Sequence, residues 1–107
     1  MNVRVLDLKV GNGKPVVDRK RVTVGYVGRL STPTGRIFDQ SSGKPFSFHL
    51  GKGEVIKGWD IGVQGMRVGG KRRITCPAAA AYGKKGTQGI PGGSTLVFDV
   101  NVIDCRA

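Results

Sequence analysis

The sequence predicts an α+β domain, a mostly antiparallel sheet with one short helix against it. Three observations predict it. Runs that alternate apolar and polar residues dominate the 107-residue chain. Turn signals separate those runs. A single segment abandons alternation for helical spacing.

In chain order, residues 3–10 alternate with a change of phase at Val5-Leu6, which predicts a bulge there. Arg21–Leu30 puts Val22, Val24, Tyr26 and Leu30 on one face and Arg21, Thr23 and Arg29 on the other. Phe46, Phe48 and Leu50 alternate with Ser47 and His49. Lys71–Cys76 alternates as well, with Lys71 and Arg73 opposite Arg72. The last run, residues 95–103, gathers Leu96, Phe98, Val100 and Val102 on one side. Between them lie Gly11-Asn12-Gly13, Pro33-Thr34-Gly35, Ser42-Gly43, Gly69-Gly70 and Pro91-Gly92-Gly93. The exception is residues 54–66, where Val55, Trp59, Val63 and Met66 recur at helical spacing. Its three glycines predict a short helix held by packing rather than by propensity. Such a helix covers one sheet face, which explains strands that are apolar on one side only.

Composition narrows the function classes. The length fits a single domain spanning 1–107, expected to be monomeric. No stretch approaches the roughly 18–20 apolar residues of a membrane helix. The start lacks the apolar run of a secretory signal, so Cys76 and Cys105 are expected as buried, reduced thiols in an intracellular protein. One histidine, His49, and two widely spaced cysteines call for no metal and no cofactor. The outlier is charge: 18 Lys and Arg against 7 Asp and Glu give +11. Such a surface attracts nucleic acid or acidic protein segments, less so as salt rises.

Seven aromatic residues remain to be placed: Tyr26, Phe38, Phe46, Phe48, Trp59, Tyr82 and Phe98. All could serve as core. Tyr26, Trp59 and Tyr82, however, each carry a polar atom that needs a partner when buried, so a core open to solvent at one end suits them better. An apolar pocket with a few convergent polar groups is then the expected binding site.

Read together, Phe38-Asp39, Pro45-Phe46-Ser47-Phe48, Gly53-Glu54-Val55-Ile56-Lys57-Gly58-Trp59, Gly65-Met66-Arg67-Val68-Gly69, Ala81-Tyr82-Gly83 and Leu96-Val97-Phe98-Asp99-Val100 resemble the FKBP family of peptidyl-prolyl isomerases, in order and in spacing. The resemblance spans nearly the whole chain. It implies a curled antiparallel sheet of five or six strands around a helix beginning near Ile56. It also implies isomerisation of Xaa-Pro bonds in client proteins, and binding of macrolides such as rapamycin and tacrolimus in the same pocket. Carried over residue by residue, Tyr26, Phe38, Asp39, Trp59, Tyr82 and Phe98 are the catalytic set. Phe46, Glu54, Val55, Ile56 and Ile90 are the further substrate contacts, with Phe48 as core behind them.

Two stretches depart from the family pattern. The loop Gln40-Ser41-Ser42-Gly43 lacks the arginine often found near the pocket aspartate, so Asp39 is expected to want that partner. In residues 84–93, Thr87 or Gln88 stands where some members have histidine, which predicts a lip of different shape. Finally, residues 69–77 resemble the FKBP domains that close longer nuclear or nucleolar proteins with acidic N-terminal regions. That implies a nuclear setting. The clusters Arg19-Lys20-Arg21, Lys71-Arg72-Arg73 and Lys84-Lys85 would then meet nucleic acid or acidic tails, unless they only solvate the surface.

Overall fold

A computed structural model describes residues 2–106. Its elements are strands β1 (Arg4–Lys9), β2 (Arg21–Leu30), β3 (Ile37–Gln40) and β4 (Phe46–His49), helix α1 (Lys57–Gly62), then β5 (Lys71–Cys76) and β6 (Leu96–Arg106). All pairings are antiparallel, in the order β1-β5-β6-β2-β3, with β4 also on β2. No helix among the described residues is long and apolar enough to cross a membrane.

The outer edge of β2 is shared. β4 pairs with Arg21 through Val24, and β3 with Val27 through Arg29. The gap falls at Tyr26, where Ser41 completes the ladder. Its backbone N–H donates to the Tyr26 carbonyl at 3.0 Å, and its Oγ accepts from the Tyr26 N–H at 3.1 Å. The end of β3, the start of β4 and Tyr26 are thereby brought to one spot.

The inner face carries Val22, Val24, Ile74, Cys76, Leu96, Phe98, Val100 and Val102, all buried. Against it lies α1, only six residues long. Its glycines do more than weaken it. A Cβ on Gly58 would collide with Cys76 Sγ, and one on Gly62 would stand 2.6 Å from Ile74 Cγ2. The two glycines, one turn apart, let the helix settle directly onto β5 and press Trp59 into the core. Arg72, buried on the same face of β5, closes the other end. Its Nη1 donates to the carbonyls of Gly62 at 2.8 Å and Gln64 at 2.7 Å. A cation suits those otherwise unpaired C-terminal carbonyls.

Three expectations need correction. The β1 bulge lies at Leu8, where the pairing with β5 skips from Asp7 to Lys9, rather than at Val5-Leu6. β1 is an exposed edge strand, so its own apolar phase does not set its register. The last strand continues to Arg106, because a bulge at Ile103 resets the alternation and returns Cys105 to the core. The helix does not extend over residues 54–66. Val55 precedes it, while Val63 and Met66 are buried in the turn that follows, where Gly65 has φ +84°. Cys76 and Cys105 are buried free thiols, and burial pushes the Cys76 pKa up to about 12.

Candidate functional site: an aromatic cavity at the gap in the sheet

Where β3 and β4 part, a cavity of about 240 Å³ opens over α1. Trp59 and Phe98, each 4 % exposed, form its base. Their rings meet edge to face at 5.3 Å between centroids and 87°. Tyr26 stands edge-on to Trp59 at 5.0 Å, Phe46 at 5.9 Å, and Phe38 packs edge-on to Phe98 at 5.5 Å. Edge-to-face pairs of this kind add roughly 0.5–1.5 kcal/mol each beyond area burial. Gly28 makes the cluster fit, since a Cβ there would come within 2.8 Å of both the Phe38 and Phe98 rings.

The rim consists of loops. The strap Glu54-Val55-Ile56 lines one side, and Tyr82, 41 % exposed, stands over the opening. The segment leading into the strap is tied by Asp60 of α1, whose two carboxylate oxygens accept the N–H groups of Gly51 at 2.8 Å and Gly53 at 3.0 Å. Glu54 in turn accepts the His49 N–H at 2.9 Å and lies 3.1 Å from His49 Nδ1. These contacts, the backbone N–H first, hold the Glu54 carboxyl below its usual range.

Polar groups in the cavity are few. Tyr26 Oη donates to Asp39 Oδ2 at 2.8 Å. Burial first, and then the Asp39 carboxylate, push the Tyr26 pKa up to about 12, so its proton stays in place. Asp39, expected to want an arginine, has a phenol for its partner. The Ile56 N–H and the Tyr82 hydroxyl meet no acceptor among the described residues. Trp59 Nε1 is buried without a partner. An orphaned donor of that kind costs about 1–3 kcal/mol, offset here by the four rings around the indole.

Ten residues named from the sequence therefore line one cavity: Tyr26, Phe38, Asp39, Phe46, Glu54, Val55, Ile56, Trp59, Tyr82 and Phe98. Ile90 does not. It is buried in the core and bonded to Thr87 across a tight turn. Phe48, 2 % exposed, lies behind the cavity. Sequence reasoning missed Gly28 and Asp60. An inward-facing glycine among large residues was the available signal for the first, whereas nothing local marks the second.

The basic clusters are not all free charge. Arg72 forks onto Asp7 with Nε at 2.6 Å, and Arg73 Nε pairs with Asp99 at 2.9 Å. Of Lys71-Arg72-Arg73, two members are thus engaged within the fold.

Fold and cavity together define a small antiparallel-sheet domain with a preformed, aromatic-walled cavity. A family model described as FKBP-type peptidyl-prolyl cis-trans isomerase matches residues 12–103. The chain is 54 % identical over 101 residues to FK506-binding protein 4 of Emericella nidulans, covering 94 % of this chain and 21 % of that one. It is 56 % identical over 97 residues to FK506-binding protein 4 of Mycosarcoma maydis, covering 90 % and 25 %. Among solved structures, AtFKBP13 superposes with a TM-score of 0.88 at 38 % identity, over 98 % of this chain and 93 % of that one. The chain belongs to the FKBP-type peptidyl-prolyl cis-trans isomerase family. It spans about a fifth to a quarter of the length of the curated relatives it matches.

Proposed function

We propose that the domain isomerises Xaa-Pro peptide bonds in client proteins, and that the aromatic cavity is where the bond rotates. The carrying observation is its composition: six aromatic residues with Val55 and Ile56 make up most of the lining, and Asp39 and Glu54 are its two carboxylates. Rotation of a peptide bond costs about 18–20 kcal/mol because it breaks amide resonance. Xaa-Pro bonds are the useful substrate, since their isomers differ by about 0.5–1 kcal/mol yet exchange in tens to hundreds of seconds. A twisted amide has less charge separation than a planar one. Transfer from water into this cavity therefore favours the twisted state over the ground state, which is differential binding.

In this reading the proline ring rests on Trp59, between Tyr26, Phe46 and Phe98. The unpartnered Ile56 N–H and Tyr82 hydroxyl donate to carbonyl oxygens of the bound segment and hold it in register. Asp39, fixed by Tyr26, faces the amide that turns. The same walls would accept FK506-type macrolides, and the names of the relatives support that. A nuclear setting is the reading we favour from residues 69–77.

The test is a prolyl isomerisation assay on a short Xaa-Pro peptide, with and without rapamycin. Catalysis abolished by the macrolide is the expected result. No acceleration over the uncatalysed rate would overturn the assignment.

A further inference from the structure

On another part of the sheet from the cavity, where β2 begins and β6 ends, two grooves adjoin. One, of about 320 Å³, is lined by Lys14, Pro15, Val17, Lys20, Cys105 and Arg106. The other, of about 300 Å³, runs between Arg21, Thr23, Ile103, Asp104 and Arg106. Together the two grooves are lined by four cations and a single carboxylate. Arg21 and Arg106 are direct cross-strand partners, an arrangement that is destabilising for like charges. Asp104 relieves only part of it, with Oδ2 at 2.6 Å from Arg106 Nε and Oδ1 at 3.7 Å from Lys14 Nζ. Lys20 and Arg21 form no ion pair among the described residues. An anion supplied from outside would complete the cluster.

The grooves are also apolar. Val17 is 48 % exposed and Ile103 45 % exposed, set among the cations. We infer that this surface docks an acidic protein segment carrying aliphatic side chains, its carboxylates meeting Lys14, Lys20, Arg21 and Arg106 and its aliphatic groups meeting Val17 and Ile103. Nucleic acid fits less well. Single strands bind by stacking bases on aromatic rings, and neither groove has one. A duplex backbone offers phosphates but nothing for the exposed Val17 and Ile103.

The proposal is independent of the isomerase reading, and its test keeps the two apart. A fluorescein-labelled, proline-free peptide alternating Glu with Val and Leu is titrated by anisotropy at low salt and at about 0.15 M salt. Two variants are compared with the parent: Lys20→Gln/Arg21→Gln in the groove and Lys84→Gln/Lys85→Gln elsewhere. Binding that weakens with salt, falls about five- to tenfold in the groove variant and holds in the other is expected, from two exposed charges worth up to about 1 kcal/mol each. Isomerisation of a short Xaa-Pro peptide should proceed at the parent rate in the groove variant. Equal losses in both variants would reduce the effect to diffuse charge. A peptide with Gly replacing Val and Leu binding just as tightly would remove the apolar contribution. Duplex DNA binding more tightly and displacing the peptide would make the groove a nucleic-acid surface. Absence of peptide binding at low salt would leave a solvated face. Each of these four results overturns the inference.

Discussion

The base and the rim of the cavity are built on opposite terms. Trp59 and Phe98 sit on a helix and a strand, nearly sealed from water, and their positions follow from missing side chains: Gly58 and Gly62 beneath α1, and Gly28 beside the Phe38 and Phe98 rings. The rim residues Phe46 and Tyr82 are about two-fifths exposed, and the strap Glu54-Val55-Ile56 is held through Glu54, bonded to His49, and through the preceding Gly51 and Gly53, whose N–H groups donate to Asp60. Changes at the base should therefore cost stability and activity together, because the core and the base are the same atoms. Changes at the rim should cost activity with little loss of stability.

The largest expected effect is at the base without touching the pocket. Gly58→Val drives a side chain into Cys76 Sγ and the Ala80 carbonyl. Overpacking of this kind costs about 1–3 kcal/mol or more, so Tm should fall by roughly 5–20 °C. An unchanged melting curve would mean that α1 does not rest on β5 as described.

Next comes Trp59→Leu, which keeps the base apolar but shortens it. Partial loss of packing should destabilise by about 1–3 kcal/mol. The proline ring then loses its seat, and kcat/KM toward a short Xaa-Pro peptide should drop tenfold or more, about 1.4 kcal/mol of transition-state stabilisation. Parent kcat/KM in the folded variant would locate catalysis elsewhere.

At the rim, Asp60→Asn leaves one acceptor oxygen for two N–H groups. Loss of one such bond is worth about 0.5–1.5 kcal/mol. The strap should loosen, raising KM several-fold while Tm moves by only a few degrees. A large Tm loss with unchanged KM would assign Asp60 to the core rather than to the strap.

Smaller still is the alkaline limb of the stability curve. Tyr26 is held at about 12, above its ordinary 10.0. Its contribution is fully present below pH 10.0 and is lost as pH rises through about 12. Tyr26→Phe has nothing to ionise there, so its denaturation midpoint should decline less steeply across that window. Identical declines would mean that the phenol is not shielded.

What could be read in advance follows the same division. The base was legible through the family resemblance, whose segments from Gly53 to Trp59 and from Leu96 to Val100 implied Trp59 and Phe98 as pocket residues, whereas alternation and helical spacing alone left all seven aromatics open as core. Ile90 was not placed correctly as a lining residue by position alone, because the turn between Thr87 and Ile90 folds it inward, and that depends on loop geometry. The bulge at Leu8 was misplaced because β1 is an exposed edge whose register is set by β5. Arg72 looked like one more surface cation. Only the three-dimensional meeting of Asp7, Gly62 and Gln64 shows it closing the helix. Contacts between residues distant in sequence left no trace in periodicity.

In the proposed mechanism, rotation is promoted by an apolar enclosure and not by proton transfer. Measuring kcat/KM for a short Xaa-Pro peptide across about pH 6 to 8, where an ordinary histidine changes charge, tests it most directly. His49, bonded to Glu54 on the strap, is the residue to watch, so a His49→Gln variant is assayed alongside. A profile that is flat for both proteins is expected. A bell-shaped profile in the parent that His49→Gln abolishes would contradict it, and would place acid-base chemistry at the rim.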